Sequence, residues 1–212
     1  MQTDIASQAD GDEHASDIVL PTSMANAGAE DDAEAKNAKA KKDSEAFIRY
    51  RKLARILAAQ FLFQVDIQQA WGVSWSDKGD FRRLVANAWI DEDEHDEQPS
   101  EKDIEGAWKY AETLIDGVME CHEELDELII QAAVNWSLTR MGYTDRAILR
   151  LASYEILKMP KVKPATAIDE AINLARAFGQ SDSTRFVNGV LDKVKRIIQK
   201  NKSGKAEDSP VK

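Results

Sequence analysis

The sequence predicts an all-α protein, and three observations carry that prediction. From residue 44 to about residue 200 the apolar side chains recur at three-and-four spacing, the period that lines one face of an amphipathic helix. No stretch alternates strictly over the roughly four to eight residues that a half-buried strand needs. Helix-breaking residues stand between the periodic segments, at Pro99, Gly142, Pro160 and Gly179, and divide them into about seven helices. The 212 residues fit one medium domain with tails, because compact domains run to about 100 to 200 residues around a single core.

Residues 1–43 are rich in Ala, Asp, Glu and Ser and almost without large apolar side chains. They can bury too little to offset the entropy of ordering, so this segment is expected as a disordered acidic tail. The helical domain is expected over residues 44–200, and its first helix spans 44–69. At about 100° per residue, Leu53, Ile56, Leu57 and Phe61 share one arc, while Arg51, Lys52 and Arg55 share another. A weaker helix over 80–90 lies in a stretch, 71–101, that carries Trp71, Trp75, Trp89 and the acidic run DEDEHDE at 91–97; packing is the default for the indoles. The third helix, 101–121, turns Ile104, Ala107, Trp108, Ala111, Leu114, Ile115 and Val118 inward, and the fourth, 123–136, does so with Leu125, Leu128, Ile129, Ala132 and Ala133.

Thr144 is placed to cap the fifth helix, which is apolar on several sides through Ile148, Leu149, Leu151, Ala152, Ile156 and Leu157 and therefore belongs at the centre. In the sixth, Thr166 and Asp169 form a capping-box-like pair, and Ile168, Ala171, Ile172, Ala175 and Phe178 line one face up to Gly179. The seventh, 183–199, repeats Val187, Val190, Leu191, Val194 and Ile198. Its Asn188-Gly189 is ordinarily a turn signal, but the flanking period overrides it. Glycine inside a helix costs about 1 kcal/mol relative to alanine, and close approach by another helix is the expected reason for it. Residues 201–212 are polar and expected to be loose.

The net charge of −10 argues at first against a nucleic-acid partner, since phosphate contacts come from Lys and Arg. The average hides an asymmetry. Through Asp43 ten acids face four lysines, whereas from Lys158 to Lys205 eleven basic residues face four acidic ones, a local net of +7. A partner responds to the local field, not to the chain total. Cys121 is the lone cysteine, and His14, His95 and His122 are scattered, so no internal disulfide and no cysteine–histidine metal site is expected. The acids at 91–97 lack the glycine-turned loop of a calcium site. No cofactor is expected. No apolar run approaches the roughly 18 to 20 residues that span a bilayer, and the start of the chain lacks a basic stretch followed by an apolar one. A soluble, cytoplasmic protein is the expectation.

Three segments then resemble, in order, the bacterial transcription antitermination factor family NusB: LARILAAQFLFQVDI at 53–67, DRAILRLASYEIL at 145–157 and AIDEAINLARAFGQSDSTRFVNGVLDKV at 167–194. Helical chains share periodicity by chance, but FG followed by DS and FVNGVLDK is far more restrictive. The resemblance covers roughly residues 49–198; the stretch 71–101 is longer and more acidic than is usual, and the acidic leader is extra. It implies an all-helical fold of two packed helical subdomains that pairs with the ribosomal protein also called NusE and binds the boxA element of nascent RNA. With other Nus factors, such proteins keep RNA polymerase transcribing, notably through ribosomal RNA operons. No chemical step is implied.

The resemblance also implies site residues. Arg51, Lys52 and Arg55 match the family's arginine-rich RNA contact, with Leu53 where another basic residue is typical; an ordinary solvated face is the alternative. Asp182 matches an acid used in RNA recognition, and a carboxylate can accept hydrogen bonds from the Watson–Crick edge of an unstacked guanine. At a helix entrance the same side chain can equally cap free N–H groups. Phe186 and Phe178 are candidates for stacking on bases, with core packing the alternative for each. Asp145 matches the NusE-facing surface, although an acid in a first helical turn needs no partner to explain it.

Two further readings remain. Some RNA cytosine methyltransferases carry a NusB-like domain before a catalytic one, but these residues hold no glycine-rich strand-to-helix turn and no catalytic cysteine motif, so an enzyme is not expected. Arg150 and Glu155, on the most apolar helix, are expected to satisfy each other or nearby backbone groups. The thin basic stripe keeps open a protein-interaction module of the same fold with weak or lost RNA binding.

Overall fold

The computed structural model describes residues 24–72, 81, 101–134 and 136–207. Five helices are present there: α1 (Met24–Gln68), α2 (Glu101–Ala132), α3 (Tyr143–Lys158), α4 (Pro164–Phe178) and α5 (Ser183–Glu207), with a 3-10 turn, Leu138–Arg140, ahead of α3. No strand occurs among the described residues, and the all-α class is as the apolar period predicts. The expected third and fourth helices are one element, α2, with non-helical backbone at Cys121 (φ −121°, ψ 23°) marking the break between them. The expected helix over 80–90 and the acidic run lie outside the described residues, as do Trp75 and Trp89. Phe81 alone of that stretch is described, and its ring stands edge-on to Phe61 at 5.1 Å.

The chain divides into two units, Met1–Ser44 and Glu45–Lys212. In the first, residues 24–44 are helical and the described side chains, 37–44, are all exposed. The acidic tail expected through Asp43 covers this helical stretch, and residues 1–23 lie outside the described ones. Ala, Glu and Lys are strong helix formers, and that local preference acts without burial of an apolar face. At the other end α5 continues to Glu207.

In the second unit one apolar cluster gathers residues from all five helices. Helix α3 touches α2, α4 and α5, and Ile148, Leu149 and Leu151 are sealed from solvent, so its predicted central position stands. Each such side chain contributes about 1.5 to 3 kcal/mol through burial. Gly117 leaves room for the outer end of the Tyr154 side chain, which a Cβ there would displace. Helix α1 ends where Gln69 turns left-handed (φ 53°), and Ala70 N–H donates to the Val65 carbonyl at 3.0 Å, a Schellman-type stop.

Three details of helix chemistry are corrected. Helix α3 starts at Tyr143 with Gly142 in the cap position, so Thr144 lies inside the first turn instead of capping it. Helix α4 starts at Pro164 after Lys163, because proline presets the first-turn backbone and lacks only an N–H that would go unpaired there; Thr166 and Asp169 therefore fall within the helix. Gly189 meets no close neighbour: a Cβ built there has nothing within 4 Å.

Buried ions tie α1, α2 and α3 together. Arg55 donates from Nε and Nη2 to the Glu155 carboxylate at 2.9 to 3.2 Å, and the Tyr110 hydroxyl donates to Glu155 Oε1 at 3.2 Å. Asp66 accepts from Arg146 Nε at 2.7 Å and lies 3.0 Å from Arg150 Nη1, an ion contact without hydrogen-bond alignment. Arg150 closes a two-point pair with Asp126 at 2.6 and 2.9 Å, and its guanidinium sits 4.4 Å over Trp71. Arg150 and Glu155 thus pair with other helices and not with each other: at five residues apart they face different sides of α3. Burial works against the Arg55 cation, but hydrogen bonding and charge from Glu155 more than compensate and hold its pKa above the usual value. The Tyr110 hydroxyl is pushed up to about 12, by burial first and then by Glu155.

Candidate nucleic-acid interface

The entrance of α5 is a tight turn built around glycine. Helix α4 ends at Phe178, and Gly179 N–H donates to the Ala175 carbonyl at 2.9 Å. A Cβ at Gly179 would lie 2.5 Å from both that carbonyl and Ser183 Cβ, so glycine alone lets the two helices approach. Gln180 N–H donates to Ser183 Oγ at 2.8 Å, and Ser183 N–H returns a bond to the Gln180 carbonyl at 3.1 Å. The Asp182 carbonyl accepts the first helical bond, from Phe186 N–H at 3.1 Å, which leaves the exposed Asp182 carboxylate at the rim. Beside it is an open hollow of about 420 Å³ lined by Ile172, Ser181, Asp182, Thr184, Arg185 and Asn188.

The candidate residues do not all meet there. Phe186 does lie one turn from Asp182, half-buried and in contact with Trp136 at 5.4 Å between ring centroids. Asp145 is brought close too. Burial raises its carboxyl above the ordinary range, a Ser183 hydrogen bond opposes this, and the Asp182 charge adds to it. Phe178 faces elsewhere: it is 44% exposed and lines a separate cleft of about 240 Å³ with Ala59, Gln60, Phe63, Thr144, Ala147 and Ile148.

The three residues of the α1 basic stripe are placed differently from one another. Arg55 is 5% exposed and committed to Glu155, because its face of the helix packs on α3 instead of solvent. Arg51 is half-buried, its guanidinium 3.6 Å from the Tyr110 ring centre and 4.9 Å from that of Phe47. Lys52 alone of the three is exposed.

Sequence reasoning missed four surface groups. Phe63 (37% exposed) and Tyr143 (43%) rim the Phe178 side, their rings 6.4 Å apart. Phe63 lies about 200° round the helix from Phe61, an off-phase aromatic that periodicity could have flagged. Trp136 and Arg140 lie between α2 and α3 with the guanidinium 5.5 Å from the indole centre; an aromatic in a polar connection was the available signal.

The described residues thus form an all-α fold whose exposed groups at this end include rings, a carboxylate and arginines. The NusB family matches residues 52–196, and the chain belongs to that family. The transcription antitermination protein NusB of Symbiobacterium thermophilum is 42% identical over 146 residues, covering 69% of this chain and 89% of that one. The Bacillus subtilis protein of that name is 36% identical over 153 residues, covering 71% and 98%. Among solved structures, Thermotoga maritima (T. maritima) NusB superposes with a TM-score of 0.50 at 30% identity, covering 69% of this chain and 90% of that one. A structure of antitermination factors NusB and NusE in complex with dsRNA gives 0.53 at 26% identity, covering 70% and 98%. Among the described residues no helix is long and apolar enough to cross a membrane.

Proposed function

We propose that this chain is a cytoplasmic transcription antitermination factor that holds boxA-type single-stranded RNA together with NusE. In company with other Nus factors it keeps RNA polymerase processive, notably through ribosomal RNA operons. The observation that carries this reading is the α5 entrance, where an exposed carboxylate, a neighbouring ring and Arg185 stand at one end of a rigid helix within the family-matched span. A carboxylate suits the donor edge of a guanine, and rings suit the faces of unstacked bases. The relative solved with NusE and dsRNA supports the pairing of partners. The Phe178 cleft supports a protein-facing side: Phe63, Tyr143 and Phe178 are exposed around it, and the Gln60 side-chain carbonyl is buried there without a hydrogen-bond partner among the described residues. Asp145, which interacts with Ser183 and Asp182, is the NusE-facing acid in this proposal. Lys52, Asp182 and Phe186 are the RNA contacts in this proposal, with Phe178 on the protein-facing side instead and Arg51 and Arg55 holding the scaffold.

The burial of two of three stripe residues favours a second reading, an interaction module with weak RNA binding. Titrating a labelled boxA-like RNA and a scrambled control, with and without NusE, at two salt concentrations separates the two. Selective binding that NusE strengthens is expected. NusE binding without RNA selectivity would establish the second reading instead.

A further inference from the structure

The connection between α2 and α3 sets an exposed indole beside the entrance of α5. Trp136 is 46% exposed, its ring braced on Phe186 at 5.4 Å and flanked by the Arg140 guanidinium at 5.5 Å. Phe186 shares the Asp182 face of α5, four residues on. The next turn of that face carries Gly189, exposed and with open space where a Cβ would be. Packing does not call for a glycine there, although it weakens the helix by about 1 kcal/mol. Bare backbone at that point leaves room for a flat group to lie against α5.

We propose that Trp136 and Arg140 form a second stacking position for single-stranded RNA, with the indole taking a base and Arg140 a neighbouring phosphate. This rests on the RNA reading above and extends its Asp182–Phe186 face across the α2–α3 connection. Every base offers a π-face to an indole, and Arg serves both ring and phosphate. Bracing by Phe186 fixes the ring before RNA arrives, which lowers the ordering cost of binding. Arg185, exposed at the hollow, adds positive charge along the same path.

The test uses the full chain and a labelled boxA-like RNA extended by a few nucleotides at each end, with a series carrying one abasic position. Trp136→Ala should weaken binding about ten-fold or more, with Trp136→Phe keeping most of the affinity. One abasic position should cost the parent affinity and cost Trp136→Ala nothing further. Arg140→Ala should lower the slope of log affinity against log salt by about 0.7, one phosphate contact on a single strand. RNA should quench tryptophan emission more in the parent than in folded Trp136→Phe, a readout that stands even if Trp136→Ala does not fold. Parental RNA selectivity with unchanged quenching, slope and abasic response in the variants would overturn this inference alone, as would losses confined to NusE binding. A parent that binds no RNA selectively would overturn the RNA reading and this inference together.

Discussion

Arg55 and Arg140 look alike in the sequence and behave oppositely in the fold. The first lies in the ionic seam between α1 and α3, 5% exposed and held by three hydrogen bonds to Glu155. The second stands in the open over an exposed indole. The difference comes from partners remote in the chain: Glu155 lies 100 residues from Arg55, and Asp66 lies 80 from Arg146. A basic residue near a helix therefore signals a nucleic-acid contact only after the tertiary fold has shown which acids reach it. In this molecule the seam builds the scaffold, and the α5 entrance is the proposed contact face.

That contrast can be broken most forcefully at the seam. Glu155→Gln leaves the Arg55 cation buried without its counter-charge, and about 3 to 5 kcal/mol of stability should be lost, read from the midpoint of urea unfolding. RNA affinity of the fraction still folded should hold. At the entrance, Asp182→Asn should reduce discrimination between boxA-like and scrambled RNA by about 1.5 to 3 kcal/mol, the worth of a hydrogen bond to a charged group, with the unfolding midpoint unchanged. Equal losses on both RNAs would remove Asp182 from base recognition. Gly189→Ala sharpens the comparison in the other direction: the open space should let alanine stabilise α5 by up to about 1 kcal/mol in thermal unfolding while RNA binding weakens.

The smallest expected effect lies at Asp145. Its carboxyl titrates higher when folded than in the unfolded chain, chiefly because burial disfavours the charge. The folded state therefore binds more protons through that window, and its contribution to stability falls as pH rises from the ordinary carboxylate range through the raised value. Asp145→Asn should flatten this dependence and be at least as stable as the parent at neutral pH, with the gain gone below the ordinary range. Unfolding midpoints across an acidic pH series check the sign.

Where burial alone decides structure, the sequence was legible. Ile148, Leu149 and Leu151 announced a central helix, and Val187, Leu191 and Val194 set the inner face of α5. Helix starts were less so, because Pro164 and Gly142 act through the backbone while Thr144 and Thr166 offered plausible side-chain caps. The Asp182–Phe186 pair was readable because four residues make one helical turn. Trp136 was not, since its neighbour Phe186 lies fifty residues away and no local period connects them.

Cross-linking mass spectrometry with a 4-thiouridine-substituted boxA-like RNA on the full chain tests the central claim most directly. Cross-linked peptides should map to residues 136–140 and 182–189, with none on 53–57. Cross-links concentrated around Arg55, with the α5 entrance unlabelled, would contradict the division between scaffold and contact face.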